Sequence, residues 1–231
     1  MVGCTKYSDG CKNCYAMPIA ERLRDQGIKG YENGFKPTAL PDKLDIPLSW
    51  KKPRLIFVNS MGDLFHDDIP LDFIKKVFDT IRRADWHVFT VLTKRSERLR
   101  ELGPQLDWPQ NLMIGVTIES DKYRNRLDYL KAVPAHMKYI VLEPLIAPVK
   151  RLDLTGIDWV IAGGESGANA RPMNIEWIRN VRDWTIEQNK PFWFKQYSQN
   201  TEGKINSEGA ILDGKIHKEF PEFKSGKPSL F

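Results

Sequence analysis

The three cysteines of this 231-residue chain lie close together near its amino terminus. Cys4, Cys11 and Cys14 occur in the segment GCTKYSDGCKNCYA with the spacing C-x6-C-x2-C. A disulfide would use two thiols and leave the third unpaired. A C-x2-C pair is short enough to place two thiolates on one metal ion or one cluster. The spacing therefore indicates metal chemistry rather than a structural crosslink.

Three thiolates leave the kind of metal site open. A structural zinc ion takes four ligands, so the cysteines would need a histidine such as His66 as the fourth. Three thiolates can also hold three corners of a [4Fe–4S] cluster and leave its fourth iron free for another ligand. A loop without metal is the third alternative, because the intervening YSDG and KN are rich in turn-forming residues.

The composition is that of an ordinary globular protein, with 41% hydrophobic and 28% charged residues. No apolar run approaches the roughly 18 residues that cross a bilayer, and the chain does not start like a secretory signal peptide. We therefore expect a cytoplasmic protein with no membrane contact, whose thiols stay reduced. The net charge of +5 favours an anionic partner such as nucleic acid, although a solvated surface of mixed charge has the same composition.

The elements that must position the cysteines alternate between strand and helix patterns. Short apolar runs rich in β-branched and aromatic residues predict six strands, at 54–60, 87–93, 112–118, 138–144, 158–164 and 191–196. Apolar residues three or four positions apart predict helices at 71–84, 121–133 and 174–188. Strands that are apolar on both faces and alternate with helices predict a parallel sheet in an α/β fold.

We expect this sheet to form a partial (β/α)6 TIM-like barrel. An open doubly wound sheet is the alternative, but no Gly-x-Gly-x-x-Gly follows the first strand. Residues 29–53 predict a long connection with a few apolar anchors, namely Leu44, Leu48 and Trp50. The tail has turn residues at Gly203, Gly209, LDG (212–214) and Pro221, and predicts a turn-rich C-terminal extension with a hairpin at one end of the barrel. We thus divide the chain into a barrel over 1–197, which carries the cysteine loop, and an extension over 198–231 packed on it.

Polar residues follow the predicted strands, where a barrel places its functional groups. These strand ends read NSMGDLFHDD (59–68), TKRSER (93–98), IESDK (118–122), EPL (143–145), GGESGANARP (163–172) and KQYS (195–198). Each has a structural explanation as a cap, a turn or a surface residue. Six such ends on one face of a sheet nevertheless indicate a functional site.

Taken together, these motifs resemble radical S-adenosylmethionine (radical SAM) enzymes. The closer resemblance is to a family of three-cysteine-motif proteins found in bacteriophages and bacterial genomes. The segments that carry the resemblance are GCTKYSDGCKNCYA, VNSMGDLFHDD, VLTKRSERL, LEPL, WVIAGGESGANARPM and FWFKQY, which together run from Gly3 to about Tyr197.

The resemblance implies that Cys4, Cys11 and Cys14 ligate a [4Fe–4S] cluster and that S-adenosylmethionine chelates its fourth iron. An electron from a reductant protein of flavodoxin or ferredoxin type would split the sulfonium, and the 5′-deoxyadenosyl radical would take a hydrogen atom from the substrate. For a phage-encoded protein the compartment would be the cytoplasm of the host cell.

The chain departs from the usual radical SAM pattern around the cysteines. Most members space them C-x3-C-x2-C, so the wider first gap requires the loop to bulge. The aromatic residue usual before the last cysteine is replaced by Asn13, and Tyr15 follows instead, where it can contact the adenine or pack. Only three residues precede Cys4, which leaves little of a first barrel strand.

The resemblance also suggests roles for the strand ends. The candidate cofactor-binding residues besides Tyr15 are Ser60, Asp63, Thr117, Glu119, Ser120, Gly163, Gly164 and Glu165. The candidate catalytic residues are Lys94, Glu143 and Lys195. Arg95 and Arg171 are candidate substrate-binding residues, since arginine and lysine match phosphate oxygens. An ion pair of Lys94 or Lys195 with Glu143 or Glu165 is the structural alternative.

These assignments favour an enzyme that modifies or repairs a nucleic acid base or a nucleotide. The alternative is a nucleic-acid-binding module, in which zinc or an inert cluster braces a basic surface without catalysis. Acidic strand ends favour the enzyme, because the carboxylates of Asp63, Glu119, Glu143 and Glu165 would repel a phosphate backbone. Hydrolysis by carboxylate pairs without metal would leave the cysteines unexplained.

Overall fold

The computed structural model of the protein describes residues 1–167, 169–198 and 211–223. Within these residues six parallel strands, hydrogen-bonded in sequential order, form one curled sheet with helices packed on its outer face. The strands are β1 Leu55–Phe57, β2 Val88–Thr93, β3 Leu112–Thr117, β4 Met137–Leu142, β5 Trp159–Ala162 and β6 Phe192–Phe194. This half-barrel confirms the α/β fold and the partial TIM-like barrel expected from the sequence.

Four of the described helices connect successive strands, whereas the first precedes β1 and no α-helix lies between β4 and β5. The helices are α1 Ala16–Asp25, α2 Leu71–Arg83, α3 Ser96–Leu102, α4 Arg126–Lys131 and α5 Ile175–Glu187. The segment predicted as one helix over 121–133 is a 3₁₀ turn followed by α4. Helices α1 and α3 were not predicted, because α1 buries only Ala16 and Ala20 and α3 is two turns long. Neither therefore shows a wide apolar stripe.

The central strands are buried on both faces, and their alternate residues enter two separate cores. Phe89, Ile114 and Ile140 face the helices and belong to the large outer core. Val88, Met113, Met137, Tyr139, Val141 and Trp159 face the other way and form an inner core, which no helix residue joins among those described. The inner core therefore occupies the concave side of the half-barrel.

Tyr139 is the centre of the inner core. A Cβ on Gly115 would lie 2.6 Å from its ring, so only glycine leaves room for it on β3. Its hydroxyl donates to the carbonyl of Val91 at 3.1 Å, and burial raises the pKa of the phenol. Trp159, Trp193 and Phe220 pack beside it, with the two tryptophans and Phe220 in mutual ring contact. These side chains pack the concave side of the sheet between β3 and β6.

The connection and the tail follow the sequence-based expectation. Residues 29–53 contain 3₁₀ turns at Pro41–Lys43 and Ile46–Ser49 but no α-helix, and both Leu44 and Leu48 pack against the outer core. In the tail, β7 Ile211–Leu212 and β8 Lys215–Ile216 form a hairpin, whose position the sequence analysis did not specify. Asp213 and Gly214 both have positive φ, as a two-residue hairpin turn requires.

The segment after the hairpin extends the sheet beyond β6. The amide of Phe194 donates to the carbonyl of His217 at 2.9 Å, and Trp193 pairs with Lys218 in an antiparallel bridge. Of the extension, residues 199–210 and 224–231 lie outside the described ranges. Among the described helices, none combines the length and the apolar character needed to span a bilayer.

Candidate functional site

A cavity of about 240 Å³ opens at the carboxyl ends of the strands. All three cysteines line it, and strand-end residues complete its wall. Of the residues singled out from the sequence, the lining includes Tyr15, Ser60, Asp63, Lys94, Arg95, Thr117, Glu143, Glu165 and Lys195. The remaining ones lie outside the lining, namely Glu119, Ser120, Gly163, Gly164 and Arg171. The fold thus brings the cysteine loop and most of the expected strand ends to one place.

Glu119 anchors the cysteine loop instead of facing the cavity. Its fully buried carboxylate accepts hydrogen bonds from Ser8 Oγ at 2.5 Å and from an Arg126 guanidinium nitrogen at 3.0 Å. Gly10 packs directly on it, since a Cβ there would lie 2.6 Å from Glu119 Cγ. Lys94 Nζ lies 3.8 Å from the same carboxylate. A buried acid on β3's carboxyl end therefore fixes the middle of the loop.

Glu165 anchors the loop from the other side. Its carboxylate accepts from Asn13 Nδ2 at 2.9 Å and from the backbone amide and Nε of Arg171 at 2.8 and 2.9 Å. Arg171 also donates to the Asp9 carbonyl at 3.1 Å. Burial acts to raise the pKa of Glu165, but the hydrogen bonds from Arg171 and Asn13 outweigh it and hold the pKa below its usual value. Arg171 is thus engaged in holding two loops together.

Cys4 lies against a buried cation. The Arg95 guanidinium is 3.4 Å from Cys4 Sγ and 3.4 Å from Asp63 Oδ2, and it donates to Thr5 Oγ1 at 2.9 Å. Burial and the Asp63 carboxylate raise the pKa of Cys4 to about 11, although Arg95 acts in the opposite direction. Arg95 is therefore a neighbour of the thiol and is less accessible to substrate than the sequence suggested.

Asp63 fixes the turn after β1. One of its oxygens accepts from the Phe65 amide at 3.0 Å and from Thr93 Oγ1 at 2.7 Å. The other accepts from the Lys94 amide at 3.2 Å. This carboxylate joins the ends of β1 and β2, so the hydrogen bonds it makes are already internal to the protein.

Glu143 and Lys195 form the ion pair that was the structural alternative. Lys195 Nζ donates to Glu143 Oε2 at 2.9 Å, and Gln196 Nε2 donates to the other oxygen at 3.1 Å. Lys195 remains half exposed at the mouth of the cavity. Glu143 follows β4 and Lys195 follows β6, so the pair bridges the carboxyl end of β5, which lies between them.

Backbone packing requires glycine at position 164, the second of the two glycines after β5. A Cβ on Gly164 would lie 2.1 Å from the Ser198 amide nitrogen, and the Gly164 amide donates to the Gln196 carbonyl at 2.8 Å. Gly163 accepts from the Leu145 amide at 2.9 Å. Ser120 precedes a 3₁₀ turn and is buried. These residues shape the loops behind the cavity and do not line it.

Three side chains in the cavity wall have buried polar atoms without hydrogen-bond partners among the described residues: Arg95, at its Nε, and two uncharged residues, Asn59 and Thr117. The amide oxygen and nitrogen of Asn59 and the hydroxyl of Thr117 are buried and make no hydrogen bond within the described residues. Asn59 is 4% exposed and Thr117 is fully buried. An unsatisfied buried polar group costs about 1–3 kcal/mol, which a bound polar molecule would offset. The sequence analysis did not select Asn59 as a site residue. Its only signal in the sequence is its position just after β1.

The candidate metal donors at the cavity are its three thiols. Within the described residues, no three side chains of His, Cys, Asp or Glu are grouped so as to hold one ion. His66, the candidate fourth zinc ligand, lies outside the cavity lining and contacts Thr5 Oγ1 at 2.8 Å. A cluster binds each thiolate through a different iron, so its ligands need only surround a common space. Cys4, Cys11 and Cys14 all line one cavity, which is the observation on which a cluster assignment can rest.

The fold and this cavity define a half-barrel protein whose candidate site combines three thiols with the carboxyl ends of parallel strands. The chain belongs to the family described as Protein of unknown function (DUF5131), whose model matches residues 1–221. No curated protein and no solved structure matches the chain.

Proposed function

We propose that the protein is a radical SAM-type iron–sulfur enzyme that acts on a nucleic acid base or a nucleotide. One observation carries the proposal: three thiols and the unpartnered side chains of Asn59 and Thr117 line the same cavity. The thiols supply soft ligands for iron, and the unpartnered groups supply hydrogen bonds for a polar molecule beside it. The resemblance of the motifs to radical SAM enzymes supports the same assignment.

In this proposal Cys4, Cys11 and Cys14 hold a [4Fe–4S] cluster. When bound, the cluster and S-adenosylmethionine supply reductive cleavage of the sulfonium and hence a carbon-centred radical. The chain has to bind, orient and shield these groups. Asn59 offers both a donor and an acceptor, and Thr117 offers a hydroxyl, so both suit the polar parts of S-adenosylmethionine.

The inner core would help to shield the reaction, because its packed side chains exclude water from the part of the cavity wall that they contact. The ring of Tyr139 and its aromatic neighbours belong to the inner core, which meets the cavity wall at Val141. A radical intermediate is protected where solvent has no access from that side. At the mouth, Glu143 and Lys195 can hold or move a proton on the substrate, and Lys94 adds a second positive charge.

The binding module without catalysis remains the second candidate. It requires that the metal site be structural and that the cavity take no small cofactor. A zinc version needs four ligands that converge on one ion, and the described side chains do not provide such a group. The unpartnered side chains in the cavity wall also favour the enzyme, because a purely structural site gives them no partner.

The test is to purify the protein without oxygen, reconstitute it with iron and sulfide, reduce it and add S-adenosylmethionine. We expect a brown protein with about four irons and a 5′-deoxyadenosine product that Cys14→Ala fails to form. The exposed Ser49→Ala, outside the cavity lining, serves as the control and should behave like the native protein. A colourless protein that retains zinc, or a cluster that yields no 5′-deoxyadenosine, would overturn the proposal.

A further inference from the structure

The inner face of β1 is open to solvent. Leu55 is 36% exposed and Phe57 is 45% exposed, whereas Ile56 between them packs on the outer core. Since side chains alternate along a strand, Leu55 and Phe57 point to the concave side of the half-barrel. Within the described residues β1 is the edge strand of the sheet and pairs only with β2. Two apolar side chains therefore line the open side of the barrel.

Besides Phe57, a second exposed aromatic ring lies at the cavity that the three cysteines line. Tyr15 is 48% exposed, and its hydroxyl donates to the Ser60 carbonyl at 2.6 Å. Both Tyr15 and Phe57 belong to the cavity lining. Isolated exposed apolar residues are common on protein surfaces, but two rings at the mouth of a polar cavity mark a place where a planar group can stack.

A basic segment precedes β1. Lys51 and Lys52 are exposed, and neither makes an ion pair within the described part of the chain. Arg54 is exposed as well, and its guanidinium lies over the Trp50 ring at 4.6 Å. A three-residue strand spans about 10 Å, so positive charge lies at one end of β1 and the cavity with Lys195 at the other.

We propose that this β1 strip, defined as Lys51, Lys52, Arg54, Leu55, Phe57 and Tyr15, binds a single-stranded segment of nucleic acid and delivers one base to the cavity. The chemistry done on that base rests on the proposed function, but the binding itself does not. Lysine and arginine bind the phosphates in this arrangement, while the aromatic rings stack with bases of any sequence.

The geometry favours a polynucleotide over a free nucleotide. A mononucleotide in the cavity would reach Lys94 and Lys195, and the charges at Lys51 and Lys52 would lie beyond it, before the start of β1. It favours a single strand over a duplex, since a base must leave the stack to enter a cavity of about 240 Å³. An extended acidic peptide that pairs with the free edge of β1 is the competing occupant. Such a peptide would bind through the β1 backbone, so its affinity would not depend on an aromatic ring at position 57.

The experiment measures binding of a fluorescently labelled, mixed-sequence single-stranded oligonucleotide by anisotropy, with the reconstituted full chain. We expect Phe57→Ala to weaken binding about 10-fold and Phe57→Trp to retain it, because stacking needs a ring. Ile186→Ala, also an exposed apolar residue but on α5, is the matched control and should bind like the native protein. The corresponding duplex should bind more weakly than the single strand.

A salt titration tests the charges. We expect the double variant Lys51→Gln/Lys52→Gln to reduce the slope of log affinity against log salt by about 1.4, or roughly 0.7 per lost phosphate contact. Lys75→Gln/Lys76→Gln, an adjacent exposed pair on α2, should leave the slope unchanged. Equal binding of duplex and single strand, native-like binding by Phe57→Ala, or competition by a poly-glutamate peptide that Phe57→Ala does not weaken would each overturn the proposal.

The two proposals fail separately. Lys51 and Lys52 lie outside the cavity lining, so their double variant should still form 5′-deoxyadenosine from S-adenosylmethionine if the proposed function holds. If the protein binds single-stranded nucleic acid with the expected variant effects but forms no 5′-deoxyadenosine, the proposed reaction is contradicted and the proposal for the β1 strip is supported. Formation of 5′-deoxyadenosine without any strand binding would contradict the strip alone.

Discussion

The guanidinium of Arg95 lies 3.4 Å from the sulfur of Cys4 and at the same distance from the carboxylate of Asp63. Arg95 is itself buried, so this cation interacts with the thiol in a region of low dielectric. Of the three cysteines, only Cys4 has an arginine hydrogen bond within the described residues. Its electronic surroundings thus differ from those of Cys11 and Cys14.

Arg95 is expected to set the reduction potential of the proposed cluster. Hydrogen bonds to cluster sulfurs stabilise the reduced, more negative state. Arg95→Gln should therefore make the potential more negative by about 40 mV, which corresponds to roughly 1 kcal/mol for a one-electron couple. A redox titration followed by electron paramagnetic resonance measures the shift. Arg100→Gln, on the exposed side of α3, is the control, and an unchanged potential in Arg95→Gln would show that the contact has no electronic effect.

Glu119 is expected to be a major contributor to stability. Glu119→Gln leaves Arg126 buried without its charge partner, and breaking a buried pair typically costs about 3–5 kcal/mol. Urea unfolding measures the loss in the free energy of unfolding. Asp79→Asn, which removes the exposed pair between Asp79 and Arg82, should cost less than about 1 kcal/mol. Similar losses in the two variants would show that burial of the Glu119 pair does not matter.

The cysteine loop should tolerate no side chain at position 10. A Cβ on Gly10 would lie 2.6 Å from Glu119 Cγ, so Gly10→Ala must displace either the loop or the carboxylate, at a cost of about 1–3 kcal/mol. We expect lower iron and sulfide content after reconstitution. Gly103→Ala meets only contacts of 3.4 Å or more and is the matched control. Full iron incorporation in Gly10→Ala would mean that the loop is not held by this packing.

Glu165 should stabilise the protein in a pH-dependent way. Its pKa is lower in the folded protein than in the unfolded chain, so its contribution is complete above the unfolded value of about 4.3 and is lost as the pH falls through the lowered pKa. Glu165→Gln should thus be less stable than the native protein by about 1–3 kcal/mol at pH 7, and the difference should shrink below about pH 4.

Urea unfolding of both proteins between pH 3 and pH 8 measures this difference. Glu101→Gln, an exposed change on α3, should stay within about 0.5 kcal/mol of the native protein throughout. A difference for Glu165→Gln that grows on acidification would contradict the assigned direction of the pKa shift.

The sequence predicted the sheet well, because strands such as LMIGVTI are apolar on both faces and this pattern is local. It predicted the gathering of strand ends for the same reason. The roles of individual side chains depend on contacts between distant segments. Glu119 anchors Ser8 and Gly164 packs on Ser198, and neither relationship has a signal in its neighbouring residues. Asn59 could be recognised only once its missing partners were visible.

The inner core reaches the cavity at Val141, which belongs to both. A molecule bound against Val141 has packed side chains behind it, so a second, larger molecule would approach from the solvent side. For the proposed reaction this arrangement favours ordered binding: S-adenosylmethionine, held beside the thiols, would precede the base, and the products would leave in the reverse order.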